Sequence, residues 1–177
     1  MRAEDVVAGL EADLVALGAA ESDLERDAEV AERTRIERSS ISLADRLRGA
    51  HDTVELATLG EGRRAGHVSE VGDGWVLLSS GPHGERVPSS EHLVVLSSVV
   101  AVRGLGRAVG VAPGWLRPLG SVLRGWCRDR TAVSVLTTDG AVVAGMASAA
   151  YADHLELSSG DGATVVVPFA AMAVVSR

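Results

Sequence analysis

Two stretches of the sequence, GWVLLSS (Gly74 to Ser80) and DHLELSS (Asp153 to Ser159), are variants of one phrase. Each is a short apolar run ending in two serines, and around each the chain alternates apolar and polar residues at a period of two, the signature of strands. The spacing extends beyond the phrase. Val54 and Val133, Gly66 and Gly145, and Ser80 and Ser159 all lie 79 residues apart (133 − 54, 145 − 66, 159 − 80). Farther along, VLSSVVAV from Val95 aligns with VPFAAMAV from Val167 at a spacing of 72 (167 − 95), the first copy carrying a longer hairpin, GPHGERVPSSEH. Upstream, LRG stands at Leu47 to Gly49 and again at Leu123 to Gly125. A fixed order at nearly fixed spacing predicts a duplicated module.

Each module reads as a short helix followed by five short strands. In the first, strands are expected at Thr53 to Thr58, Arg64 to Val71, Trp75 to Ser80, His92 to Leu96 and Val99 to Arg103, separated by Gly, Asp, Ser and Pro signals. In the second, the helix LGSVLRGWCRD precedes AVSVLTT, VVAGMASA, HLELSS and TVVVPFAAMAVV, and TTDGA marks a hairpin because Asp-Gly supplies the positive φ that tight turns need. Ahead of the modules, Val7, Leu10, Leu14 and Leu17 recur at helical spacing, and SDLE (Ser22 to Glu25) reads as a capping box for a second, highly charged helix. The expected organisation is a helical segment over 1–41, a first strand module over 42–104, a linker over 105–118 and a second module over 119–177. The fold class is mainly β with an N-terminal α segment.

Composition narrows the chemistry. A net charge of −7 disfavours broad attraction to a phosphate backbone. With aromatic residues at 3% against an apolar content of 46%, the core must be built from Val, Leu and Ala. One cysteine, Cys127, excludes an internal disulfide, acids interrupt any signal-like stretch at the N-terminus, and no apolar run approaches the length of a membrane span. A cytoplasmic location is expected. Every cationic residue is an arginine, a bias typical of a high-GC genome.

The order of helix and strands, with Gly66 and Gly145 at the bend of the second strand, resembles the Sm-like barrel, a small SH3-like β-barrel, and is similar to proteins of high-GC Gram-positive bacteria. That resemblance implies two barrels in tandem, over Leu43 to Arg103 and Leu119 to Val175. The glycines would permit a bend too sharp for a side chain. The aspartate and asparagine by which RNA-binding members contact bases are replaced by Gly72 and Val76 in the first copy and by Tyr151 and Leu155 in the second. Where the bacterial Hfq branch carries a Tyr-Lys-His stretch, this chain has Leu96, Ser97 and Ser98, then Pro168, Phe169 and Ala170.

Few residues suggest chemistry. GLGRAVG (Gly104 to Gly110) approaches a dinucleotide fingerprint, but its third glycine is late and no helix follows, so it reads as linker. Cys127 beside Arg128 reads as a small apolar side chain rather than a nucleophile. The five histidines show no ligand spacing, and Asp73 and Asp153 sit where turns need a side-chain acceptor. No cofactor or metal is expected. A partner surface is expected at Arg33, Arg35 and Arg38 of the charged helix and at Trp115, which either packs between the modules or forms a contact. The expected function is that of a non-enzymatic protein-interaction adaptor or assembly module, with an RNA- or DNA-binding regulator as the rival and self-association left open. A continuous arginine surface would favour the rival, an apolar patch the adaptor.

Overall fold

A computed structural model describes residues 26, 29, 32, 33, 35, 39–81 and 90–177. The chain divides into two compact units, Met1–Ile41 and Ser42–Arg177. In the first unit the described residues up to Ser40 are helical, and Arg33 pairs with Glu29 (2.7 Å) and Arg35 with Glu32 (3.5 Å) one turn apart. The expected helix over Val7 to Leu17, the Ser22 to Glu25 capping box and Arg38 lie outside the described residues, as does most of the long hairpin.

The second unit opens with α1 (Leu43–Arg48), capped by Ser42: its Oγ accepts from Asp45 N while its own N–H donates to Asp45 Oδ2, both at 3.1 Å. Five strands follow, β1 (Val54–Thr58), β2 (Arg63–Val71), β3 (Trp75–Ser80), β4 (Ser90–Val95) and β5 (Val99–Arg103). Then come α2 (Leu119–Arg128) and five more, β6 (Ala132–Thr137), β7 (Val142–Ala150), β8 (His154–Ser158), β9 (Thr164–Pro168) and β10 (Met172–Ser176). Single 3-10 turns at Leu96–Ser98 and Phe169–Ala171 join β4 to β5 and β9 to β10.

All ten strands form one antiparallel sheet in the order β5-β1-β2-β3-β4-β10-β6-β7-β8-β9. The expectation of two closed Sm-like barrels is therefore corrected to a single open sheet. Closing the first five strands would require β4 to pair with β5, but the outer edge of β4 is taken by β10, with Val94 opposite Val174 and Leu93 opposite Val175. Once β10 holds that edge, β5 is left at one end of the sheet and β9 at the other.

The two runs of five share their registers. Val54 faces Gly66 in β1–β2 and Val133 faces Gly145 in β6–β7, and the ladder slips between Val68 and Glu70 and again between Ala147 and Ala149. A Cβ on Gly66 would stand 2.7 Å from the Ser79 carbonyl oxygen, and one on Gly145 2.8 Å from that of Ser158. The later spacing is corrected by one residue. Trp75 faces Val95 where His154 faces Pro168, so β4 corresponds to β9 at 73 residues (168 − 95) rather than 72, and the 3-10 turns from Leu96 and Phe169 keep that same spacing.

Two cores lie on opposite faces of the central strands. Trp75, Leu93, Val95 and Val175 pack with Val122, Leu123 and Trp126 of α2. Val76, Leu78, Val94 and Val174 pack with Leu47 of α1 and with Val54 and Leu56 of β1. Successive residues of β3 and β4 thus serve alternate cores, and β10 serves both, with Met172 and Val175 in one and Ala173 and Val174 in the other, which is why these strands read as continuous apolar runs. Each core takes side chains from both runs of strands, so neither run buries its apolar face alone.

Candidate functional site

The linker is anchored at both ends. Gly110 N donates to Asp45 O (2.8 Å) and Arg46 Nη2 to Gly106 O (2.8 Å), holding GLGRAVG against α1. Gly104 has φ +81°, and a Cβ there would meet Thr53 O at 2.5 Å; one on Gly110 would meet the Arg48 Cβ at 2.5 Å. These two glycines allow close packing of the returning chain, a structural need unconnected with a phosphate. At the far end Arg117 O accepts from both Trp75 Nε1 (2.8 Å) and Asp73 N (3.0 Å), and Arg117 pairs with Glu70 at 3.2 Å. Between these anchors Trp115 is exposed at 69%, so it does not fill a space between the two runs of strands.

Five of the eleven described arginines in the second unit, Arg48, Arg63, Arg103, Arg117 and Arg177, are matched with carboxylates. Glu55 on β1 receives Arg63 (3.2 Å) and Arg103 (3.6 Å), Asp45 holds Arg48 (2.7 Å), and Arg177 pairs with Glu91 while its guanidinium stacks 5.0 Å above the Trp126 ring. Arg33 and Arg35 are matched in the same way inside the first unit. The turn aspartates divide differently from expectation. Asp73 uses its backbone and Asp153 bonds His154 (Oδ1 to Nδ1, 2.7 Å), whereas Asp139 and Asp161 accept from Ala141 N (3.1 Å) and Ala163 N (3.0 Å) in the β6–β7 and β8–β9 hairpins. Hydrogen bonds from Thr137 and Ser159, followed by those backbone amides, hold both carboxyls below the ordinary aspartate range. Burial pushes the Cys127 thiol up, the opposite of what a nucleophile needs.

A groove of about 750 Å³ crosses β4, β10, β6 and β7. On its rim His92 Nδ1 lies 2.9 Å from Ser176 Oγ and its Nε2 3.4 Å from Ser90 Oγ. Burial, and after it the charge of Arg64, lowers the His92 pKa and favours the neutral ring.

Exposed sheet edges fit the adaptor reading, but sequence reasoning did not say which strands form them. Val100 on β5 is 61% exposed and Val166 on β9 53%, with Val165 also exposed, and among the described residues each strand has a partner on one side alone. Beside Val100 a depression of about 590 Å³ is lined by Thr58, Leu59, Gly60 and Gly62. In the sequence, TVVVP is one more apolar strand. The available signal was Pro168, which has no N–H for a neighbouring strand and is at home at an edge.

Among the described residues no helix is long and apolar enough to cross a membrane. No protein-family model, curated protein or solved structure matches the chain, so with the sheet open, neither the Sm-like resemblance nor the similarity to proteins of high-GC bacteria is supported.

Proposed function

We propose that this protein is a non-enzymatic interaction and assembly module, built from a duplicated five-strand unit, that binds other proteins by strand addition at the two ends of its sheet. The observation that carries this reading is that a ten-stranded sheet ends on both sides in strands with exposed valines. Natural sheets ordinarily blunt their edges with charge, proline or a covering loop, because a free edge presents a row of unmade backbone hydrogen bonds. Here β9 shows Val165 and Val166 and has a proline, Pro168, only at its last position, and β5 carries a single charge, Arg103, already drawn toward Glu55. Strand addition would supply the missing hydrogen bonds, and the exposed valines would set side-chain preference. At Arg63, Arg103, Arg117 and Arg177 a phosphate would have to displace a carboxylate, which counts against a nucleic-acid partner at those four positions.

Cross-linking in the native cell followed by mass spectrometry tests the reading. Cross-links from residues flanking β5 and β9 are expected, and they should be lost in a Val100→Lys/Val166→Lys double variant. Cross-links confined to other surfaces, and unchanged in that variant, would remove it.

A further inference from the structure

We infer that the strand each end receives belongs to a second copy of this chain: β5 of one molecule pairs with β9 of the next, head to tail, repeating between molecules the junction that β4 and β10 make within one. The inference rests on the strand-addition reading and names its partner. β5 and β10 are counterparts, since each pairs with the first strand of its run through corresponding positions, Leu56 opposite Val102 and Val135 opposite Val175. β9 and β4 are counterparts by the same test, Val166 facing Glu156 as Leu93 faces Leu77. The two open ends are therefore the two halves of an interface the molecule already contains.

Carrying the register across fixes the contacts. Within the chain Val174 faces Val94, Val175 faces Leu93 and Ser176 faces His92. At a spacing of 73 the intermolecular pairs become Ala101 with Val167, Val102 with Val166, and Arg103 with Val165. Val166, more than half exposed in one molecule, would gain a neighbour of its own kind. The depression beside Val100 has a role in this arrangement. Val100 is the counterpart of Ala173, whose carbonyl accepts a hydrogen bond from Ser98 Oγ (3.2 Å) in the 3-10 turn after β4. The corresponding turn, Phe169–Ala171 of the neighbouring molecule, would seat beside Val100.

Several features are not copied, and they set the strength: Val165 and Arg103 stand in place of His92 and Ser176, and Pro168, at the place of Val95, has no N–H to give a neighbouring strand. Ala171 stands at the place of Ser98 and donates no such bond, and Asp139 stands at the place of Gly60, whose missing side chain allows close approach to Thr137 O. The intermolecular junction is consequently weaker than the internal one. Its contact surfaces differ on the two sides, so the assembly is a ring if the rotation closes and a filament if it does not.

Light scattering coupled to size exclusion tests this on the full chain from about 1 to 100 μM, the range in which a weak interface fills. The mass should rise with concentration through whole multiples of 18.3 kDa. Val100→Lys and Val166→Lys, both at exposed positions, should each stay at the single-chain mass. Their mixture should stop at two chains, because one intact β5 and one intact β9 remain. A wild-type chain that stays single at every concentration overturns the inference, and so do multimers unaffected by either lysine. Should a variant lose its far-ultraviolet dichroism, hydrogen exchange on the wild type decides instead: concentration must slow the amides of β5 and β9, and slowing elsewhere or none overturns the proposal. Failure here together with edge cross-links to a different protein leaves strand addition standing, whereas failure of both experiments removes both.

Discussion

β10 and β5 finish their runs in the same way, each pairing with the first strand of its run, yet Met172, Ala173, Val174 and Val175 are all buried while Val100 and Ala101 are exposed. Local sequence does not account for this, since VVAVR and MAVVS are both apolar strands. The difference is that β10 has β4 on its other side. A second contrast points the same way. Trp75 at the start of β3 is fully buried, with its indole N–H donating to Arg117 O, whereas its counterpart His154 on β8 is partly exposed and stacks on Tyr151 with ring centroids 4.7 Å apart. Corresponding places in one register acquire different work according to how far they lie from the end of the sheet.

The largest effect that separates the two runs is expected at those two residues. Trp75→Ala should cost roughly 3–5 kcal/mol, the usual range for emptying a buried aromatic site, and Trp75→Phe about 1 kcal/mol through loss of the donated hydrogen bond. His154→Ala should lie within about 0.5 kcal/mol of wild type, as surface changes do. Urea unfolding of the three variants checks this. Equal costs at Trp75 and His154 would show that distance from the edge is not what distinguishes them.

Gly66 and Gly145 test the opposite claim, that the runs are alike where the backbone demands it. Each Cβ would fall under 3 Å from a carbonyl oxygen of the next strand, Ser79 or Ser158. Gly66→Val and Gly145→Val should both destabilise by about 2 kcal/mol or more, through strain that the neighbouring strand cannot relieve by a side-chain movement. An unchanged urea midpoint for either one would break the equivalence at that bend.

These glycines were legible in the sequence, and so were the strands, because alternation at a period of two and the recurring spacing of 79 are local properties of the chain. The Asp139-Gly140 turn was equally legible, and Gly140 does take φ +91°. Closure was not. Whether β4 pairs with β5 or with β10 depends on contacts between residues some 80 positions apart (174 − 94), and an apolar strand carries no mark of its neighbour. The one-residue error in the later spacing arises because Val167 matches Val95 by residue type, whereas the position that corresponds to Val95 is Pro168. At an edge the missing N–H of Pro168 costs nothing. Which strands stand at the ends is hidden for the same reason: nothing marks TVVVP or VVAVR off from an inner strand until the sheet order is known.

Ser98 marks a smaller difference between the junction inside the chain and the ends. It is buried, and its hydroxyl lies 2.7 Å from Val95 O and 3.2 Å from Ala173 O, joining β4 to β10. Ser98→Ala should cost about 1 kcal/mol, the net worth of such a bond. Ala171→Ser, at the corresponding place beside β9, should change monomer stability by less than about 0.5 kcal/mol. Thermal unfolding of both variants at a dilute concentration measures the contrast, and a larger loss at Ala171 would reverse the assignment of the sealed and the open junction.

The smallest effect should be a pH dependence confined to the internal junction. His92 faces Ser176 across β4–β10, while the corresponding intermolecular pair, Val165 with Arg103, contains no histidine. In the folded chain the His92 pKa is lowered from 6.5, first by burial and then by Arg64, with Arg177 and Glu91 pairing alongside. The unfolded chain therefore takes up the proton more readily. Stability is full above about pH 6.5, the ordinary histidine value, and declines as pH falls below it until the folded ring is protonated too. Asp45, Asp139 and Asp161 are held below 3.8 chiefly by hydrogen bonds from Ser42, Thr137 and Ser159, so their loss of stability begins only as pH approaches that value from above, in a separate acid window. Urea midpoints measured from pH 7.5 to 5 should drop in wild type, and His92→Gln, which keeps a polar side chain without the titration, should flatten the curve. A wild-type midpoint that is constant or rises toward pH 5 would mean that protonated His92 is as well accommodated in the fold as in the open chain.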